Sequence, residues 1–147
     1  MSEPTIPRPA LWLGLAGLLP SITALVVMLA LPGMRELAAS AGLGFAAVIA
    51  SFVGGSWWGL AAGRASPEAM PCYLSLAVMP GLLAWLAVLV PPMTGFGVLA
   101  LLFAVLPPTD RRLLHEGVSP FWWLALRLPL SLAMAALQAA MALVLVF

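Results

Sequence analysis

Five long apolar stretches account for most of this 147-residue chain, and they constrain its fold more than any other feature. Charged residues, prolines and glycines separate the stretches, which cover residues 11–31, 41–62, 72–90, 92–107 and 121–147. A helix needs about 20 mostly apolar residues to cross the hydrocarbon core of a bilayer. The pattern therefore predicts a single all-α integral membrane domain over residues 1–147, a compact bundle of five transmembrane helices.

The composition excludes several classes of function. Hydrophobic residues make up 64% of the chain and charged residues only 7%, against about 25% charged in an average soluble domain. A chain this apolar is expected to lie in the lipid bilayer. A net charge of +1 leaves no basic patch for nucleic acid. The single cysteine and single histidine exclude an internal disulfide and a bis-histidine haem. We expect no catalytic residue, no metal and no cofactor.

The arginines predict the orientation of the bundle. If all five stretches cross, one side carries five arginines and the other only Arg35, which is a strong positive-inside bias. If the short fourth stretch did not cross, Arg111 and Arg112 would move to the outer side. We therefore predict a cytoplasmic N-terminus and an outer C-terminus. The five arginines are Arg8, Arg64, Arg111, Arg112 and Arg127.

All basic residues are arginine, a usage typical of GC-rich bacterial genomes, so we expect the bacterial inner membrane.

The first stretch has some features of a secretory signal peptide. Residues 39–41, with the sequence ASA, resemble a cleavage site. The apolar run of the first stretch, about 20 residues, is nevertheless longer than the hydrophobic region of a usual signal peptide. We expect an uncleaved anchor helix.

The aromatic residues fit this orientation. Amphipathic rings favour the level of the lipid headgroups. We expect Trp12, Tyr73, Trp122 and Trp123 at the cytoplasmic interface and Trp85 near the outer one.

Small residues recur at every fourth position of the second stretch, at Ala47, Ser51, Gly55, Gly59 and Gly63. Lipid tails provide no hydrophobic driving force for helix association, so close packing along small side chains must supply it. The ridge predicts a close helix contact within the chain. A homodimer contact, or docking onto another membrane subunit, is the alternative.

Three prolines lie about two turns after the predicted starts of the first, third and fifth helices. These helices run in one direction, which places Pro20, Pro80 and Pro129 at a similar depth. Each proline removes an amide donor and frees a carbonyl one turn back. The simple interpretation is a set of membrane-helix kinks, and the alternative is a small cytoplasm-facing vestibule between splayed helices.

The loop before the fifth helix contains the main charged cluster, and Arg127 follows about two turns into that helix. An arginine at that depth must reach the headgroups or pair with a carboxylate. We predict a clamp in which Arg127 pairs with Asp110, with Glu116 as the second choice. Arg111 and Arg112 are left to contact anionic lipid headgroups or a partner loop.

Residues 51–59, with the sequence SFVGGSWWG, resemble the serine-phenylalanine-x-glycine-glycine-x-x-tryptophan-glycine motif of the domain-of-unknown-function 3429 family. Residues 14–20 resemble the family's opening helix, and residues 110–127 resemble its last loop and helix. The chain departs from the family at Trp57, where the resemblance implies His or Arg, and at Trp123, where it implies Tyr. The family has no established activity, so the resemblance implies the fold and a set of candidate sites. These are Ser51, Gly54, Gly55, Trp58, Gly59, Asp110, Arg111 and Arg127.

Two functions remain in view. The first is a non-enzymatic accessory or structural subunit, which packs against itself as a homo-oligomer or against a larger membrane complex, including a bioenergetic one. The alternative is a binder or transporter of a small lipophilic molecule or lipid through the vestibule. An interfacial membrane enzyme ranks below both. The candidate packing or binding residues are Ser51, Gly54, Gly55, Trp58, Gly59 and Gly63, and the candidate clamp or headgroup contacts are Asp110, Arg111, Arg112 and Arg127.

Overall fold

A computed structural model describes residues 5–147, and the helical segments in this part of the chain match the five predicted crossings. Five segments, Arg8–Ala30, Pro32–Arg64, Met70–Leu89, Pro92–His115 and Trp123–Val144, are long and apolar enough to cross a membrane. The prediction of an all-α, five-span membrane protein is confirmed. The helices are α1 (Arg8–Ala16), α2 (Leu19–Ala30), α3 (Arg35–Arg64), α4 (Met70–Leu89), α5 (Pro92–Val105), α6 (Pro107–His115) and α7 (Trp123–Val144), with a short 3-10 turn at Pro32–Met34 before α3.

The first crossing is divided into two helices. The break falls at Gly17 and Leu18, and Pro20 occupies the first turn of α2. A proline is tolerated there because the amide it lacks would have no partner within the helix. Pro20 therefore begins a helix rather than kinking one, whereas Pro80 and Pro129 lie inside α4 and α7 as predicted.

The fourth crossing is longer than the sequence suggested. The predicted helix ends near Pro107, followed by a charged loop, but the chain continues as α6 to His115. Pro107 and Pro108 occupy the first turn of α6, where their missing amides cost no hydrogen bond. The cluster that begins at Asp110 therefore lies on a helix.

The core of the bundle is built around α3, which contacts α2, α4, α5 and α7. Its most extensive contact is with α4. A Cβ added at Gly54 would collide with the carbonyl oxygen of Ala77 on α4, and one at Gly95 on α5 would collide with that of Ala87. Backbones that approach this closely require small residues, as is usual for helices packed in membranes. Alanines supply much of the remaining contact: Ala38, Ala39, Ala46, Ala50, Ala61, Ala77, Ala84 and Ala87 are buried.

Candidate functional site

A buried carboxylate, Asp110, joins three helices near the cytoplasmic end that the arginines predict. Its side chain is completely buried. Oδ1 accepts hydrogen bonds from Nε1 of Trp57 on α3 at 2.8 Å and from Nε1 of Trp123 on α7 at 2.7 Å. Oδ2 lies 3.6 Å from Nε of Arg127, also on α7. The carboxylate thus ties α6 to both α3 and α7.

The position of Asp110 follows from the pattern of α6. Pro107, Asp110 and Leu113 are buried at three-residue intervals, while Arg111 and Arg112 are exposed. Residues three apart lie on the same face of a helix. The buried face of this short helix packs against the bundle, and Asp110 lies on that face, which places its carboxylate inside the bundle.

Gly117 turns the chain from α6 toward α7. Its φ of 70° is in the left-handed region, which glycine adopts without steric cost. The amide of Val118 donates to the carbonyl of Leu113 at 2.8 Å, and the amide of Gly117 donates to that of Leu114 at 3.1 Å. These two bonds form a Schellman motif. The chain reverses within a few residues, which brings Trp123 and Arg127 beside Asp110.

The buried guanidinium of Arg127 has N–H donors without acceptors among the described residues. Its side chain is only 12% exposed, and its Cζ lies 6.0 Å from the centre of the Trp123 ring. At 3.6 Å, the contact with Asp110 is an ion pair and too long for a hydrogen bond. Nε and Nη2 have no hydrogen-bond partner among the described residues. A buried charged donor without an acceptor is unfavourable, so this group favours an additional oxygen ligand.

An apolar cavity of about 410 Å³ lies against this guanidinium. Its walls come from α1, α3, α5 and α7, and Phe103, Trp122 and Met134 supply part of the apolar surface. Arg127 and Ser131 add polar atoms from α7, and Ser56 lines the wall from α3. Ser131 is buried, and its hydroxyl has no partner within residues 5–147. A few polar groups on an otherwise apolar wall are typical of small-molecule sites.

We infer that the cavity opens sideways between α1 and α3, because its most exposed lining residues lie on these two helices. Leu13 on α1 and Phe52 on α3 both line it, and they are 74% and 71% exposed. α1 packs against α7, where a Cβ added at Gly14 would lie 2.7 Å from Cδ1 of Leu130. In a bundle that spans a membrane, side chains as exposed as Leu13 and Phe52 face lipid, so the opening faces lipid.

The predicted ridge on α3 divides into a packed and an unpacked part. On the ridge, Oγ of Ser51 lies 3.4 Å from a Cβ added at Gly81 on α4, and Gly54, which is not a ridge residue, packs against α4 beside it. A Cβ added at Gly55, Gly59 or Gly63 would meet no atom of residues 5–147 within 4 Å. The proposed contact within the chain therefore does not apply to these three glycines, because they lie on the face of α3 turned away from the bundle. Trp58, 47% exposed, is also on the surface.

Arg111 and Arg112 do not join the buried pair. Both are exposed, and Nε of Arg112 donates to Oε1 of Glu116 at 2.8 Å. Its Cζ also lies 5.5 Å from the centre of the ring of Tyr73. Tyr73 is 1% exposed, so its ring is a buried contact of α6.

Sequence reasoning missed the two tryptophans that hold Asp110. Trp57 was a departure from the family motif, and Trp123 was assigned to the interface. A usable signal was present, because Ala46, Ala50 and Ala61 lie on the same buried stripe of α3 as Trp57. A tryptophan on a buried stripe needs an acceptor for its N–H. Asp110 is the acidic residue that reaches it.

A family model described as "Protein of unknown function (DUF3429)" matches residues 6–143. The chain belongs to this family. The relatives include Transmembrane protein 69 of Xenopus tropicalis, 44% identical over 85 residues, which cover 56% of this chain and 33% of that protein. Transmembrane protein 69 of Mus musculus is 29% identical over 124 residues, 83% of this chain and 50% of that protein. The chain therefore matches half or less of the length of these relatives. No solved structure matches. Membership and the five spans establish a multi-pass membrane protein.

Proposed function

We propose that this protein is a non-enzymatic membrane protein whose cavity binds a small lipophilic molecule. The observation that carries the proposal is the cavity of about 410 Å³ with three polar residues in its lining, Ser56, Arg127 and Ser131. Pockets for small ligands have volumes of roughly 300–1,000 Å³ and mostly apolar walls with a few polar groups. The cavity meets each of these criteria.

The lateral opening supports the same function. A ligand that partitions into lipid can enter between α1 and α3 without passing through water. The separation of α1 from α2 at Gly17 and Leu18 leaves α1 attached to the bundle mainly through α7. α1 is thus the element able to move aside when a bulky molecule enters.

Filling the cavity tests this function. Ser56 lines the cavity from α3, and its hydroxyl donates only to the carbonyl of Val53 in its own helix. Ser56→Phe adds a ring to this wall and leaves Asp110 and Arg127 unsubstituted. Ser75→Phe is the matched control, because Ser75 is exposed on α4 and its hydroxyl likewise donates to its own helix, at the carbonyl of Pro71.

The measurement is mass spectrometry of lipids extracted from the purified protein. The parent and Ser75→Phe should retain a lipophilic molecule in near-stoichiometric amount, and Ser56→Phe should retain far less. Equal amounts of the same lipids on all three proteins would overturn the proposal.

The unpacked face of α3 favours a second candidate, the accessory subunit. Gly55, Gly59 and Gly63 expose backbone to which a helix of another membrane protein, or of a second copy, can pack closely. Gly59→Leu should then reduce the amount of a co-purifying or cross-linked partner while leaving thermal stability unchanged. Gly97→Leu is the matched control on α5, since Gly97 is also exposed and unpacked. Equal partner recovery with both variants would exclude this face as an interface.

The proposed setting is a bacterial inner membrane with the N-terminus in the cytoplasm and the C-terminus outside. The arginine distribution supports the orientation, with five arginines toward one end and Arg35 toward the other. A C-terminal alkaline phosphatase fusion should be active, and a C-terminal green fluorescent protein fusion should be dark. The reverse pattern would contradict this orientation.

A further inference from the structure

Unpartnered donors on two residues that line the cavity indicate what kind of molecule the cavity takes. Nη2 of Arg127 and Oγ of Ser131 belong to residues that line the cavity, and both atoms are buried without a partner in the described chain. They lie one turn apart on α7, and residues four apart share a helix face. Leaving such groups without an acceptor in an apolar environment is unfavourable, so a ligand that brings an oxygen atom to them gains affinity.

The charge of the site selects among oxygen-bearing ligands. Oδ1 of Asp110 already accepts two indole N–H groups, and Oδ2 faces Nε of Arg127. Asp110 therefore balances the positive charge of Arg127. A bound anion would add an unbalanced charge to a site of low dielectric constant, which carries a large desolvation penalty. A carbonyl oxygen accepts from the same donors without adding charge.

The shape of the cavity restricts the rest of the ligand. A water molecule occupies about 30 Å³ of the liquid, so a cavity of about 410 Å³ holds on the order of a dozen non-hydrogen atoms. That is enough for a polar head and the start of a chain, and the remainder of the chain must leave through the opening between Leu13 and Phe52. Both residues are apolar and exposed, which suits a hydrocarbon chain in contact with lipid.

We propose that the cavity binds a neutral lipophile with a carbonyl oxygen, of the acyl ester class, taken directly from the bilayer. Because Nη2 of Arg127 and Oγ of Ser131 are covered by neighbouring atoms in this conformation, both side chains turn toward the carbonyl to donate to it, and the chain leaves between α1 and α3. This inference rests on the proposed binding function and adds the polar anchor and the charge of the ligand.

Three brominated probes test the inference with purified protein in detergent. They are dibromostearic acid methyl ester, dibromostearic acid and dibromooctadecane, which carry a neutral carbonyl, a carboxylate and no oxygen. Bromine quenches tryptophan fluorescence at short range, and Trp122 and Trp123 line the cavity. Quenching that is present in the parent and in Ser75→Phe but absent in Ser56→Phe reports cavity binding and excludes general partitioning into the micelle.

The ester should reach half-maximal cavity quenching at a concentration at least about tenfold below that of dibromooctadecane, a factor equivalent to about 1.4 kcal/mol. Ser131→Ala should weaken binding of the ester severalfold and leave that of dibromooctadecane unchanged. Because Ser131 is uncharged and has no partner within the described residues, this variant should fold even if changes at Arg127 do not.

The results that overturn the inference differ from those that overturn the binding function. Equal affinity for ester and hydrocarbon, or an effect of Ser131→Ala on both alike, would show a cavity without a carbonyl anchor. Tighter binding of dibromostearic acid at neutral pH would show an anion site instead. If no probe gives quenching that Ser56→Phe removes, the proposed binding function itself fails.

Discussion

The two carboxylates associated with α6, Asp110 and Glu116, form ion pairs that differ in length and in surroundings. Glu116 lies 2.8 Å from Arg112, but the two side chains are 38% and 53% exposed. Asp110 lies 3.6 Å from Arg127, and these side chains are 0% and 12% exposed. Water solvates the members of the first pair whether or not they meet, whereas the second pair depends on its own contacts. Burial therefore outweighs distance in determining which pair matters.

The strongest test of this difference removes one member of the buried pair. Arg127→Met leaves a carboxylate buried without its cation, and Asp110→Asn leaves a guanidinium without its anion. Each change should lower the free energy of unfolding by about 3–5 kcal/mol, the usual cost of breaking a buried pair. Denaturant-induced unfolding in mixed detergent micelles measures the loss, and Arg112→Met is the matched control at the exposed pair.

Coupling between the two residues separates pairing from independent packing. The double variant Asp110→Asn/Arg127→Met removes both charges and should cost less than the sum of the single changes. Strict additivity would mean that each side chain is held by its other neighbours and that the pair contributes nothing.

A smaller loss is expected from the tryptophans that donate to Asp110. Trp57→Phe or Trp123→Phe removes one hydrogen bond to a charged acceptor, which is worth about 1.5–3 kcal/mol. Trp58→Phe is the control for Trp57, since Trp58 is the next residue on α3 and is 47% exposed. Unfolding should be nearly unchanged by Trp58→Phe. If Trp57→Phe lowers the free energy of unfolding no more than Trp58→Phe does, the hydrogen bond to Asp110 does not stabilise the fold.

Gly117 affects the buried pair indirectly, through the turn that brings α7 back to Asp110. A side chain at φ 70° costs about 1–2 kcal/mol because Cβ approaches the following carbonyl. Gly117→Ala should lower the free energy of unfolding by about that amount. Gly97→Ala is the control, because Gly97 is exposed within α5 and alanine favours a helix. A neutral Gly117→Ala would mean that the turn relaxes without disturbing Asp110.

The sequence predicted the crossings because each depends on a property summed over about 20 residues. The pairing of Asp110 with Arg127 was also anticipated, since an arginine below the headgroups has few acceptors within reach. The pattern of small residues does not separate the packed face of α3, which carries Gly54, from the open face, which carries Gly55, because the two are adjacent and one residue rotates a helix position by about 100°. Composition does not reveal which side faces a neighbour.

The cavity could not have been predicted from local patterns. Its walls come from four helices. Its polar residues Arg127 and Ser131 matter because each has a buried polar atom without a hydrogen-bond partner among the described residues, which a sequence pattern does not show. The break at Gly17 that separates α1 from α2 was missed for a related reason. The sequence suggested a kink at Pro20, but proline is accommodated in the first turn of a helix, so the break precedes it.

The smallest effect is expected at Arg112 and Glu116. The hydrogen bond from Arg112 lowers the pKa of Glu116 below its ordinary value. A carboxyl group with a lowered pKa in the folded protein stabilises it above the pKa of the unfolded chain, roughly pH 4.3 for glutamate. That contribution is lost as the pH falls through the lower folded pKa. The parent should therefore be slightly more stable than Glu116→Gln at neutral pH, and the difference should disappear on acidification and shrink in high salt.

Subtracting the free energy of unfolding of Glu116→Gln from that of the parent at each pH isolates the effect of Glu116 from that of Asp110, which both proteins retain. If the difference instead equalled the loss from Arg127→Met, exposure would not distinguish the two pairs, and the short contact would matter as much as the buried one.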